Sequence, residues 1–381
     1  MTTGREEKKL PRMLSGCRAL DLTDEKGFLC GKMRADLGVD VIKIERPGVG
    51  DEMRTYEPRL GDDSANFALL NRGKQSIVLD LKAPGALAKL TPLIQSADVL
   101  IEQFRPGVMD RLGLGYEAVR KSNPRLVYCS ITGFGQNGPR RDMAAHDLNY
   151  LALTGLLSLT ADETGAPTMP HTPIADIAAG SYPAVMNILL ALLQRQRTGI
   201  GVYLDISMTD NLFVLSYWGL ANGFAAGDWP RPGAALTTGG SPRYRIYRMA
   251  DGGYLSVGAI EQRFWEVFCR LINLDAAARD DTRDPAATIA AVTARVAARP
   301  VAHWRKLFDG QDVCCAVVAN LDEAVRDPHV AARNLFSRRV RAGSKSIPAL
   351  PVPIDNGLRD PAEIKSAPRL GADEELLASR P

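Results

Sequence analysis

Through the first two hundred residues, short β-branched runs alternate with helical stretches. The runs are CRALDL at 17–22, VDVIKIE at 39–45, SIVLDL at 76–81, DVLIEQF at 98–104, RLVYCSI at 125–131 and VYLDISM at 202–208. Strands separated by helix-length connections pair in parallel through crossovers, so this rhythm predicts an α/β fold with a parallel sheet. Between the first two runs, KGFLCGKMRADLG carries apolar residues at helical spacing and Gly38 supplies a stop, which makes a βαβ unit. After the first strand the chain reads DLTDEKG, so the GxGxxG loop that cradles a dinucleotide pyrophosphate is missing and NAD or FAD is not expected.

A length of 381 residues allows two globular units. The composition changes at GLANGFAAGDWPRPGAALTTGGSP, which is dense in Gly, Pro and Ala and reads as a linker or active-site loop over 221–242. This leaves a large α/β domain over 1–220 and a small α+β domain over 243–335. The small domain opens with the hairpin RYRIYRMADGGYLSVGA, turning at Asp251, Gly252 and Gly253. The proline-rich tail 336–381 is expected to pack as extended chain on the first domain and complete it.

Charge excludes several classes of function. Lys and Arg number 47 against 44 Asp and Glu, and the net +3 does not describe a nucleic-acid or anionic-membrane surface. No run is read as a membrane span and MTTGREEKKLPRM is not a secretory signal, so the chain is expected to be cytoplasmic. Six scattered cysteines and four histidines show no ligand spacing, so neither a disulfide framework nor a metal site is expected. Walker and GxSxG signatures are also missing.

Candidate binding residues follow strand ends, where open α/β sheets hold ligands. Arg46 and Arg105 each precede Pro-Gly just after a strand, and Arg72 and Lys74 lie in a loop entering the next one. Together such cations suit phosphate groups, although each alone also fits an ordinary solvated charge. In TGFGQNGP, Gly133 and Gly135 allow backbone to approach a ligand closely. His146 lies near a helix start and fits either a proton-exchanging group or a capping histidine. Asp176 precedes a long helix rich in Ala, Leu and Val, and fits either a functional carboxylate or a plain N-cap. Glu261, between a strand and a helix, fits a functional acid or a first-turn acid.

The strings ADLGVDVIKIERPG, NRGKQSIVLDLK, DVLIEQFRPGVMDRLGLGYE, LVYCSITGFGQNGP, LLALLQRQRTGIG and DPHVAARNLF together resemble the class III CoA-transferase (CaiB/BaiF) family over nearly the whole chain. AHDLNYLALTG and GGSPRYRIYRMADGGYLSVGAIE resemble its α-methylacyl-CoA racemase branch. The resemblance implies an acyl-CoA substrate without further cofactor, a Rossmann-like large domain with a smaller one, and an interlocked homodimer with active sites at the subunit interface. It also implies that His146 and Asp176 act as two bases on a 2-methylacyl-CoA, with Glu261 supporting the histidine. The alternative within the family is CoA transfer to a carboxylic acid, with Asp176 as nucleophile and His146 incidental. A CoA-ester binding protein without turnover is the third reading.

Overall fold

The computed structural model describes residues 14–25, 27–162 and 164–378. Six strands form one parallel sheet: β1 (Arg18–Leu22), β2 (Asp40–Glu45), β3 (Gln75–Val78), β4 (Val99–Glu102), β5 (Val127–Thr132) and β6 (Tyr203–Ser207). Their spatial order is β3-β2-β1-β4-β5-β6. Ala19 of β1 stands opposite Val41 on one side and Val99 on the other. The chain thus winds outward from β1 through β3, returns beside β1 at β4, and winds outward the other way. The direction of winding reverses between β1 and β4, and there the connections leaving the two strands diverge and open a crevice.

Both faces of the sheet are covered. One buries Leu20, Ile42, Ile77, Leu100 and Tyr128 against Leu90, Leu93 and Ile94 of α2 (Ala86–Ser96). The other carries α1 (Phe28–Asp36), in which every residue is buried, including Lys32, Arg34 and Asp36. Lys32 meets Asp36 one turn on at 2.8 Å, a pairing that offsets the cost of taking both charges out of water.

The short α3 (Asp147–Leu153) follows β5. A π-helical turn, Ala175–Ser181, then runs into α4 (Tyr182–Thr198), and Gly199 ends that helix at φ +73. Contrary to the sequence reading, Ala175–Thr198 is long and apolar enough by composition to cross a membrane; half of its apolar window is buried within the chain. There Ala184, Val185, Ile188 and Leu192 are buried, and α4 packs against α1 and β5. The opposite positions Met186, Leu189, Leu190 and Leu193 are exposed. After β6 comes α5 (Met208–Leu215).

The chain divides into two compact units. The first comprises the described residues of Met1–Leu153, Pro170–Leu215 and Ala331–Pro381; the second comprises those of Thr154–Met169 and Ser216–Val330. These limits differ from the sequence-based cuts by five residues at 220 and at 335, and more widely in the linker and the segment 154–169. The expected linker 221–242 begins inside a helix, α6 (Tyr217–Ala226), where Leu, Ala and aromatic residues outweigh two glycines. The segment 154–169, expected in the large domain, groups with the second unit and closes on itself through an Ala161–Pro167 bridge.

In the second unit β7 (Tyr244–Arg248) and β8 (Tyr254–Gly258) form an antiparallel hairpin about Asp251–Gly253, and β9 (Cys315–Val317) adds to β8. Helices α7 (Gln262–Leu271), α8 (Pro285–Ala297) and α9 (Val301–Phe308) cover this sheet, and Trp304 stacks on Phe308 at 5.7 Å. The tail returns to the first unit with strands β10 (Arg339–Ala342), β11 (Lys345–Pro348) and β12 (Ile364–Ser366), a small sheet of its own where plain extended chain was expected.

Candidate active site

The segment after β5 is shaped by Tyr150, a nearly fully buried residue of α3. A side chain at Gly133 would fall inside the Tyr150 ring. Gly133 is therefore required by protein packing, where the sequence suggested room for a ligand. Gly135 adopts φ +75, which favours glycine, and the next residue pins the loop: the Gln136 N–H reaches Asp205 Oδ2 at 3.0 Å and its Nε2 reaches Ser130 Oγ at 2.8 Å. The Tyr150 hydroxyl donates to the carbonyl of Ala145 at 2.9 Å, which ties down the residue just before His146.

His146 stands at the N-cap of α3. Its N–H donates to Asn149 Oδ1 at 3.0 Å, and its carbonyl accepts from the N–H groups of Asn149 and Tyr150. The backbone is thus held on both sides while the residue stays exposed. The capping alternative describes the backbone; the imidazole is not used in it.

The next residue, Asp147, reaches across to the other helix start. Its carboxylate accepts the N–H of Asp176 at 3.0 Å and also faces the N–H groups of Ala175 and Ile174. Burial raises the Asp147 pKa, and these three backbone donors oppose the rise. Asp176 itself is half-buried in the first turn of the π-helical segment. Burial raises the Tyr150 phenol to about 12; the charges of Asp176 and Asp147 add to the rise and Arg105 opposes it. His146, Asp147, Tyr150, Arg105 and Asp176 are therefore neighbours in one unit. The Asp147–Asn149–Tyr150 framework was not singled out from sequence, although an acid right after a histidine at a helix start was its visible trace.

The cations expected to bind phosphate divide into two kinds. Arg46 is exposed, held by Gly50 O at 2.9 Å and by Glu52 at 2.8 Å. It borders a cavity of about 540 Å³ lined by Leu22 and Thr23 at the end of β1, Lys43 and Glu45 of β2, Leu79–Lys82 after β3, and Gln103 and Phe104 after β4. This is the crevice between β1 and β4. Lys82, Gln103 and Phe104 there were not anticipated. Arg105 is exposed and borders a second cavity of about 250 Å³ with Glu102, Asp110, Tyr116 and Gln136.

Arg72 and Lys74 require correction. Arg72 is fully buried; its guanidinium pairs with Asp36 and donates to the carbonyls of Arg339, Ala362 and Glu363. Lys74 is buried against Asp21 at 2.8 Å. Both cations neutralise buried carboxylates of β1 and α1, so neither is available to a phosphate. Glu261 lies in the second unit as the N-cap residue of α7, exposed and making no side-chain cap bond.

Residues 14–374 match the model of CoA-transferase family III. The chain belongs to CoA-transferase family III. Among family III relatives, human α-methylacyl-CoA racemase is 36% identical over 331 residues, covering 85% of this chain and 82% of that protein. The acetyl-CoA:oxalate CoA-transferase of Acetobacter aceti is also 36% identical, over 375 residues, covering 96% of this chain and 94% of that protein. The crystal structure of a CaiB/BaiF family protein from Brucella suis superposes with a TM-score of 0.81 at 27% identity, covering 96% of this chain and 98% of that one. The family III relatives named here as racemase and transferase are both enzymes, and this chain is an enzyme of the same family.

Proposed function

We propose that this family III enzyme interconverts the epimers of 2-methylacyl-CoA thioesters. The observation that carries the reading is the join between the two candidate bases: His146 caps α3 with its imidazole unspent, and its neighbour Asp147 is hydrogen-bonded to the backbone of Asp176. An α-carbon placed between the two side chains loses its proton to one base and receives a proton from the other on the opposite face. The amides at the Asp176 helix start are engaged by Asp147 and do not serve as donors to the enolate oxygen. The reaction needs no cofactor.

The carrier part of the thioester is assigned to the crevice between β1 and β4, where Arg46 and Lys82 supply positive charge at the rim. A second copy of the chain is assigned to the apolar face of α4, where Met186, Leu189, Leu190 and Leu193 recur at one helical face in contact with solvent.

One observation favours the competing reading of CoA transfer through an Asp176 anhydride: the transferase relative is as similar as the racemase and matches more of the chain. A single experiment separates them. A pure 2-methylacyl-CoA epimer is incubated with the enzyme in deuterated water, with and without an added carboxylic acid. Racemisation gives α-deuterium incorporation and epimerisation with no acceptor, and His146→Ala abolishes the epimerisation. Absence of exchange together with CoA movement to the acid overturns the reading. Asp176→Ala stops either reaction.

A further inference from the structure

We propose that Asp147 is a positioning residue that holds the Asp176 carboxylate in register with His146; the inference rests on the two-base reading above. A helix start leaves several N–H groups without intrahelical partners, and the usual remedy is a side chain from the residue just before it. Here that residue is Ile174, which has no group to offer. The cap comes from 29 residues earlier in the chain, from the first position of α3.

The origin of that cap decides the geometry. His146 is fixed by Asn149 at the start of α3, and Asp176 is fixed by the carboxylate of the residue following His146. One side chain therefore ties together the two backbone positions that carry the bases. The turn it holds is π-helical, an irregularity that depends on tertiary contacts to persist. Half-burial makes the tie costly to replace with water; burial raises the Asp147 pKa, and the backbone donors of Asp176, Ala175 and Ile174 oppose that rise. The Asp147 carboxylate is spent on backbone donors, so its part is to place another residue.

The test uses the full-length enzyme and two substitutions. Asp147→Ala removes the acceptor; Asp147→Asn keeps an oxygen in its place. Hydrogen exchange is followed by mass spectrometry over peptides spanning 170–181, alongside turnover of a single 2-methylacyl-CoA epimer. Asp147→Ala is expected to deprotect the amides of 174–176 and to lower kcat by about 100-fold with KM changed less than about twofold, because misplaced bases cost rate rather than binding. Asp147→Asn is expected to keep the protection and to restore kcat to within about tenfold of the parent enzyme. Unchanged protection in Asp147→Ala, an unchanged kcat, or an Asn variant as impaired as the Ala variant overturns the proposal. If the parent enzyme exchanges no α-proton, the two-base reading fails by itself. Asp147 is then judged by the same amide protection and by the rate of CoA transfer, which also depends on Asp176.

Discussion

The carboxylate of Asp147 accepts the backbone N–H of Asp176 at 3.0 Å, so the helix that carries one candidate base is capped by the residue following the other. The start of α3, which carries the other, is held by Asn149, whose Oδ1 accepts the His146 N–H at 3.0 Å. Two short polar side chains thus determine where the imidazole and the carboxylate begin. Neither needs to touch substrate to matter.

Asn149→Ala leaves the His146 N–H without its protein acceptor at the N-cap. A loss of about 1 kcal/mol in stability is expected, as for other helix-cap deletions. Urea titration measures it. In the same variant kcat for epimerisation is expected to fall while KM holds, since the imidazole loses its fixed origin. A kcat equal to that of the parent would show that the N-cap bond does not orient the histidine.

Gly133→Ala places a methyl group inside the Tyr150 ring. The ring cannot retreat freely: it is buried, it meets Phe134 edge-on at 5.3 Å, and its hydroxyl holds Ala145 O. A destabilisation of about 1–3 kcal/mol is expected from overpacking, together with reduced turnover because the displaced ring carries the segment before His146. Thermal melting and steady-state rates on the same preparation test both parts.

Arg72 and Arg46 are expected to respond in opposite ways. Arg72→Met leaves Asp36 Oδ1 and three carbonyls without their donor in the interior, with only Lys32 still on Asp36 Oδ2, and should cost about 3 kcal/mol, the lower end of the penalty for breaking a buried pair. Arg46→Ala removes an exposed side chain and should change stability by less than about 0.5 kcal/mol. It should instead raise KM for an acyl-CoA about tenfold, through loss of a charge-assisted contact to phosphate. An unchanged KM would remove Arg46 from the binding assignment.

Burial pushes Glu102 up to about 7; hydrogen bonds from Ser130 and the Phe104 N–H oppose the rise, and Asp110 and Asp205 reinforce it. Between the ordinary value of 4.5 and about 7 the folded protein binds a proton at this site that the unfolded chain has released. Stability from Glu102 is therefore present at low pH and is lost as pH rises through the folded value, by up to about 3 kcal/mol. Glu102→Gln should be more stable than the parent at pH 8, and the difference should shrink to nothing as pH falls to about 4.5. Denaturant midpoints measured across that range would contradict the assignment if the two proteins kept a constant offset.

Much of the fold was legible because its signals are local. The six short β-branched runs match the strands of the sheet to within a few residues, and the turn at Asp251–Gly253 matches the hairpin. Helix-length spacing between strands requires crossovers, and crossovers require parallel pairing. His146 and Asp176 were both placed at helix starts for similarly local reasons. The linker was misjudged because a Gly- and Pro-rich composition averages over residues that still favour a helix at 217–226.

The sequence by itself determined which residue types stand near strand ends and helix starts, since periodicity, capping and chain connectivity depend on near neighbours. Only the tertiary structure decided which of those residues are free to act. Arg72 and Lys74 share a loop signature with exposed basic residues, yet folding sets them against Asp36 and Asp21, and a buried carboxylate takes the nearest cation ahead of any ligand. Asp147 looks like a first-turn acid of its own helix, yet it caps another. Electrostatic pairing and backbone capping act through space, over a few ångströms, between residues that lie 29 to 53 positions apart in the chain.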